Sequence, residues 1–207
     1  MAKYLTSSPR IAWAMTYETG IRTQAAADLE EAGINIQTGG KKPSGGSHND
    51  DYWPIYARIK RMEQENATLA AVGHWLCLND TAGANQYLDD VHDTVLTRFV
   101  MLTPAWSEWR KARQDRVKAM IYARLMRERN NQAGDTPEWQ PKEISAWTHA
   151  YLGVKFDTTN WKKCDWHVVW MTIGIIAQEL ENCAMEPIVE TISLENKKIR
   201  NFMREAA

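Results

Sequence analysis

Apolar residues recur every three or four positions along most of this 207-residue chain, and strand-like alternation is rare. This spacing places apolar side chains on one face of an α-helix. One such face, ahead of Pro104, carries Tyr87, Leu88, Val91, Val95 and Phe99. The pattern therefore predicts an all-α protein built as a multi-helical bundle.

Interruptions of the pattern set the limits of the predicted helices. We expect helices at residues 10–18, 23–32, 52–78, 84–101, 106–130 and 158–183, and a cationic helix after Pro187. A glycine-rich connector at residues 39–46 follows the second helix. The polar stretch 131–141 contains one glycine and two prolines and predicts a linker. We therefore expect an N-terminal region at residues 1–132 and a C-terminal region at residues 133–207.

The segment 143–161, EISAWTHAYLGVKFDTTNW, predicts a helix-turn-helix unit. Ile144 opens a short helix, Gly153 permits a tight break, and the second helix is expected to begin at Thr158. Polar and cationic side chains at the start of such a recognition helix can reach phosphates and base edges. The residues assigned to DNA contact are Lys155, Thr158, Thr159, Asn160, Lys162 and Lys163. The same segment is also typical of an ordinary helical hairpin inside an all-α domain.

The predicted helix at residues 106–130 is basic, with eight Lys or Arg residues and three carboxylates. Cations on one helix can neutralise phosphates of a nucleic acid without reading its sequence. We assign this role to Arg110, Arg113 and Arg116. A solvated basic face is the alternative explanation.

Composition narrows the class of protein. The chain carries 25 Lys and Arg against 26 Asp and Glu, which argues against a histone-like binder that relies on overall charge. Its ten tryptophans are expected mainly as core filler, with interface anchoring as the alternative. Three scattered cysteines predict reduced thiols, and the sequence shows neither a signal peptide nor a run long enough to span a membrane. We expect a soluble, cytoplasmic protein.

Motifs for catalysis or metal binding are weak. His74 with Cys77, and Cys164 with His167, each place a His and a Cys one helical turn apart, a spacing compatible with a Cys₂His₂ zinc site. A buried thiol beside a histidine explains each of these distant pairs better. The sequence contains no nucleophile elbow and no phosphate-binding glycine loop. We expect no metal, no cofactor and no enzymatic activity.

Three features resemble the lambdoid-type phage antitermination Q proteins. They are a helix with Ala12-Trp13-Ala14, the loop at residues 39–46 followed by Asp50-Asp51, and the helix from Ile55 to Met62. That family carries a later helix-turn-helix, a part that residues 143–163 would play here. The resemblance implies a bacteriophage protein that binds DNA near a promoter, engages RNA polymerase and σ factor, and makes the polymerase resistant to terminators in the bacterial cytoplasm.

The leading hypothesis is a DNA-binding transcription regulator. Double-stranded DNA is its expected ligand, RNA polymerase and σ factor are the implied protein partners, and no membrane association is expected. One alternative is a Trp-rich helical protein-interaction module that docks an acidic partner. Another is a DNA-packaging accessory protein without catalytic activity.

Overall fold

The computed structural model describes residues 4–17, 52–131 and 137–205, and within these ranges every regular element is helical. The all-α prediction is thus confirmed. Two compact units are present: the described residues of 1–60 and 188–207 form the first, and those of 61–187 form the second. In the described ranges, no helix has the length and apolar character that crossing a membrane requires.

The helices follow the chain in the predicted order with different limits, except that the separate cationic helix predicted after Pro187 is the continuation of one long helix that contains this proline. They are α1 (Pro9–Tyr17), α2 (Trp53–Glu65), α3 (Ala67–Cys77), α4 (Thr81–Asn85), α5 (Leu88–Met101), a 3-10 turn at Pro104–Glu108, α6 (Lys111–Asn130), α7 (Pro141–Leu152) and α8 (Trp166–Glu205). The predicted helix at 23–32, the loop at 39–46 and the Asp50-Asp51 cap lie outside the described residues.

The prediction of one helix over residues 52–78 is wrong, because Asn66 divides it. Asn66 adopts a non-helical backbone conformation, and its side chain accepts a hydrogen bond from the Leu69 N–H at 3.2 Å. An asparagine in this position caps a new helix by satisfying one of the free N–H groups of its first turn. Apolar spacing continues across the break, so periodicity alone does not reveal it.

Caps also explain two later starts. The Asp80 carboxylate accepts hydrogen bonds from the N–H groups of Ala82 and Gly83 at 3.1 and 2.8 Å, and this cap begins the short α4 ahead of the helix predicted at residue 84. Helix α5 then starts at Leu88. Helix α6 starts at Lys111 and not at residue 106, because the chain first makes the separate 3-10 turn after Pro104.

The first unit is closed by contacts distant in sequence. Leu5 donates its N–H to the Asn196 side chain at 2.8 Å, and the Asn196 amide donates back to the Leu5 carbonyl at 3.2 Å. Trp13 is fully buried in α1, and the Tyr17 ring meets the Tyr56 ring edge-on.

In the second unit, α3 packs on α5 and α6, and α6 packs on α5 and α7. Its largest fully buried side chains are Trp75, Val91, Met120, Ile121, Ile144, Ile173, Ile176 and Leu180. This division of the chain differs from the predicted one at residue 132, because α6 and α7 belong to the same unit.

Candidate nucleic-acid interface

The predicted break at Gly153 is present. Gly153 ends α7 with φ at 68°, and its N–H bonds the His149 carbonyl at 3.1 Å while the Val154 N–H bonds that of Thr148 at 3.1 Å. A glycine takes this left-handed conformation without the steric cost that a side chain would add. The chain therefore leaves α7 where the sequence predicts.

The prediction that the second helix begins at Thr158 is wrong, because α8 begins at Trp166. Residues 158–165 form turns in which the Cys164 N–H bonds the Asn160 carbonyl at 2.8 Å and the Trp166 N–H bonds that of Trp161 at 3.0 Å. Asp165 then takes φ of 59°, a conformation that cannot continue a helix. Its carbonyl accepts the N–H groups of Val168 and Val169, so the helix restarts there.

The connection between α7 and α8 is thus a loop, Gly153 to Asp165, organised by one carboxylate. Asp157 accepts hydrogen bonds from the Asn160 side chain at 2.7 Å and from the Thr159 N–H at 2.9 Å. These bonds, the Asn160 side-chain bond foremost, lower the pKa of the exposed Asp157 below its ordinary value. Asp157 therefore holds the two polar residues that follow it in a fixed turn.

Buried aromatic rings anchor the same loop from below. The Phe156 ring meets those of Trp161 and Trp166 edge-on, with centroids 5.7 and 5.1 Å apart, and all three residues are buried. The Ser145 hydroxyl, on α7, accepts from the Phe156 N–H at 3.1 Å and donates to the Phe156 carbonyl at 3.2 Å. The buried aromatic side chains therefore fix the loop to the core, and its polar side chains point toward solvent.

Most side chains assigned to DNA contact lie on the outside of this loop. Thr158 is half-buried, and the exposed ones are Lys155, Thr159, Asn160, Lys162 and Lys163. Their exposure comes from alternation with Phe156 and Trp161, which take the inward positions. A partner would meet them on a loop and not on the first turn of a helix.

Arg113 joins the start of α6 to this loop. Its guanidinium lies 4.4 Å from the Trp109 ring and 4.8 Å from the Trp166 ring, and Nη2 donates to the Cys164 carbonyl at 3.2 Å. Such a stacked cation is committed to the protein, which leaves phosphate contact to its neighbours. Arg110 and Arg116 lie three residues to either side of it, on the same flank of α6, and both are exposed.

The alternative explanation, a solvated basic face, does not hold for the carboxyl-terminal half of the basic helix. Arg124 and Arg127 turn inward and pair with Glu128 and Glu138, at distances between 2.6 and 3.0 Å. Arg129 donates to the carbonyls of Trp75 and Leu78 at the end of α3. Burial lowers the pKa of Arg129. The carboxyl-terminal half of α6 therefore uses its cations inside the fold.

An open groove of about 260 Å³ lies beside the loop. It is lined by Lys142, Ser145, Ala146, His149, Lys155, Phe156 and Thr158. Lys142 and His149 are contributed by α7 and were not among the predicted site residues. Their spacing of seven residues, two helical turns, is the signal in the sequence that places both on one face.

We call these residues together the loop interface: the cations Arg110, Arg116, Lys142, Lys155, Lys162 and Lys163, with Thr158, Thr159 and Asn160. All six cations are exposed. Within the part of the chain that the structure describes, none of the six pairs with a carboxylate.

The two His–Cys pairs do not form a common site. The His74 Nε2 lies 3.0 Å from the Glu63 carboxylate, and its ring stacks on that of Tyr87. Among residues 4–17, 52–131 and 137–205, no group of three or more His, Cys, Asp or Glu side chains could hold a metal ion.

Comparison with known proteins found no matching family model, no matching curated protein and no matching solved structure.

Proposed function

We propose that the protein binds double-stranded DNA through the loop interface and acts as a transcription regulator without catalytic activity. The observation that supports this proposal is a set of six exposed cations, none paired with a carboxylate among the residues that the structure describes, on or beside a loop held on buried aromatic rings. Phosphates are bound by such cations, and a fixed loop lowers the entropy lost on binding.

The hydroxyl and amide groups of the loop would supply the part of DNA binding that depends on base sequence. Thr158, Thr159 and Asn160 follow Asp157, whose carboxylate fixes the orientation of the Asn160 amide. Side chains of these types contact base edges or phosphates in DNA complexes. In this proposal the reading element is a loop between two helices, in place of a recognition helix.

Antitermination and contact with RNA polymerase and σ factor rest on the resemblance to the phage Q proteins. We therefore include them as the biological setting of the proposal, in the bacterial cytoplasm. The loop interface itself supports the narrower activity, which is DNA binding.

A protein-interaction role is the second candidate, and one observation favours it. Three large apolar side chains on α8, Val168, Met171 and Ile175, are 50%, 62% and 58% exposed. Apolar residues grouped on one outward face commonly mark a protein contact. The core-filler prediction holds for five of the ten tryptophans, since Trp13, Trp75, Trp161, Trp166 and Trp170 are buried, whereas Trp53 is 58% exposed.

The test measures the affinity for duplex DNA by fluorescence anisotropy at several salt concentrations. For a phosphate-binding surface, the logarithm of affinity falls with the logarithm of salt by about 0.9 per phosphate contact. The double variant Lys162→Ala/Lys163→Ala should therefore lower that slope by about 2. Asn160→Ala should weaken binding to a selected sequence more than to random DNA.

Lys198→Ala is the matched control. Lys198 is an exposed lysine of the first unit, paired with Glu195 at 2.6 Å, and its loss should leave the slope unchanged. Absence of DNA binding at low salt, or equal effects of the loop and control variants, would show that the loop interface does not bind DNA.

A further inference from the structure

The outward face of α8 in the second unit is apolar over two helical turns. Val168, Met171 and Ile175 share this face at spacings of three and four residues. The opposite face is buried and carries Trp170, Ile173, Ala177 and Leu180. We call Val168, Met171 and Ile175 the α8 stripe.

The exposed charges at the two ends of the α8 stripe sum to opposite signs, because the exposed Asp165 offsets only one of the two lysines that precede it. Lys162 and Lys163 are exposed in the loop that leads into the helix. Glu179 and Glu186 are exposed beyond the other end. Two amide side chains lie between the stripe and Glu186, and the Gln178 amide donates a hydrogen bond to the Asn182 side chain at 3.2 Å. Along this face, apolar side chains are therefore followed by amides and then by a carboxylate.

We infer that the α8 stripe is a self-association surface on which two copies of this chain pack with their α8 helices antiparallel. A suitable occupant must be apolar in the middle, acidic where it meets Lys163 and basic where it meets Glu186. The same helix in reversed direction has this order. A parallel pair would place lysine beside lysine and glutamate beside glutamate, which is unfavourable.

The reversed pairing also fixes a register. Contact of Met171 with Ile175 of the second copy places the two-fold axis near residue 173. The start of α8 at Trp166 then lies beside residue 180 of the other copy, and the loop residues Cys164 and Lys163 that precede it lie toward Cys183 and Glu186 of the other copy. Such an interface is isologous, with the same residues contributed by both copies.

The stripe is small, so the association is weak. Stable interfaces bury about 800 Å² per partner, and three apolar side chains with their polar flanks supply less than that. We expect a dimer that forms at high protein concentration and dissociates on dilution.

The dimer has a consequence for DNA binding that rests on the proposed function. A rise of about 1.5 Å per residue places Trp166, the first residue of α8, roughly 10 Å from the two-fold axis along the helix, and the loop interface lies beyond it. The two loop interfaces would then lie more than about 20 Å apart, on the scale of the turn of B-DNA at about 34 Å that separates half-sites of dimeric binders. DNA carrying two sites one turn apart would stabilise the dimer.

Sedimentation velocity without DNA tests the association on the full chain. The wild type should pass from monomer to dimer as its concentration rises to several hundred micromolar. Met171→Glu/Ile175→Glu should remain monomeric over the same range. Met101→Glu is the matched control, since Met101 is 76% exposed on α5 of the same unit, and this variant should dimerise like the wild type.

Cross-linking of the unaltered protein tests the direction of the pairing. Cys183 is exposed, Cys164 is half-buried and Cys77 is buried. A bis-maleimide should link Cys164 of one copy to Cys183 of the other. Charge exchange provides a third measurement, because Lys163→Glu should weaken the dimer and Lys163→Glu/Glu186→Lys should restore it.

Three outcomes overturn the inference: a monomer at all concentrations, a dimer that survives Met171→Glu/Ile175→Glu, or links that join only Cys183 to Cys183. These results are independent of the DNA assay. A monomer that binds DNA removes only this inference, and a dimer that ignores DNA removes only the proposed function.

Discussion

Gly174 in α8 lies against the guanidinium of Arg124, and its lack of a side chain is what admits that group. A methyl group added at residue 174 would come within 2.6 Å of the Arg124 Cζ and Nη2 atoms. Real Cβ contacts are never this short, so Gly174→Ala must displace the guanidinium. The guanidinium also lies over the Trp170 ring, 4.9 Å from its centroid.

The expected cost follows from what Arg124 loses. Nη1 bonds Glu138 at 2.6 Å, Nε lies 2.7 Å from Glu128, and the arginine side chain is 13% exposed. One charge-assisted hydrogen bond contributes about 1.5–3 kcal/mol, and the half-exposed Glu138 brings the value toward the lower limit. An alanine in place of glycine inside a helix returns about 1 kcal/mol. Gly174→Ala also weakens the second ion pair of Arg124, with Glu128, so the net destabilisation of the protein should be about 1–3 kcal/mol.

Urea denaturation followed by circular dichroism measures this loss as a lower midpoint. The Arg124→Met background supplies the decisive control, because the displaced group is then absent and Gly174→Ala should become stabilising by about 1 kcal/mol. Arg127 still joins Glu128 and Glu138 in that background. A Gly174→Ala variant as stable as the wild type, or the same sign in both backgrounds, would refute the argument that Arg124 is held at this position.

Three further predictions concern the loop interface. Hydrogen bonding lowers the pKa of Asp157, so its bonds to Thr159 and Asn160 should be fully formed at pH values above the ordinary carboxyl pKa and should be lost as the pH falls through the lowered pKa. The NMR signals of the Asn160 side-chain amide should follow this transition in the wild type and should show no such transition in Asp157→Asn. Arg113→Gln should destabilise the protein by about 1–2 kcal/mol through loss of its stacking between Trp109 and Trp166, yet leave the salt dependence of DNA binding unchanged although it removes a charge; a lowered salt slope would mean that Arg113 contacts phosphate after all. Ser145→Ala should cost about 1–3 kcal/mol, because it leaves the buried Phe156 N–H without a partner, whereas Thr97→Ala on the exposed side of α5 should cost little; equal midpoints for the two variants would contradict the role of Ser145.

The helical class and the bend at Gly153 could be predicted because both depend on local properties of the chain. Apolar spacing defines a helix over many residues, and glycine is the residue that takes positive φ most readily. The limits of the helices were less predictable. Asn66 and Asp165 each interrupt a pattern whose apolar spacing continues, and a single residue of this kind changes the sequence very little.

The composition of the candidate site depends on partners distant in sequence. Arg124 and Arg127 look like surface cations until Glu138, from beyond the end of α6, is placed beside them. Arg113 looks like a phosphate contact until Trp166 is placed over it. The predicted linker at residues 131–141 gave no indication that Glu138 pairs with these arginines, so the count of cations on α6 exceeded the number available to a ligand.

The near-neutral charge of the chain does not argue against a polyanionic ligand once the charges are located. Two exposed carboxylates, Asp157 and Asp165, lie within the loop itself, and Asp157 is already hydrogen-bonded to Thr159 and Asn160. Other carboxylates lie away from it: Asp89 accepts a hydrogen bond from the Tyr122 hydroxyl at 2.8 Å, and Asp93 lies 3.0 Å from the His92 ring. Burial, aided by the Asp89 bond, raises the pKa of Tyr122 to about 12. Glu128 and Glu138 pair with Arg124 and Arg127, which point into the fold and are not part of the loop interface. Subtraction of these groups leaves six exposed cations in the loop interface, and the salt slope of binding should therefore not exceed about 5.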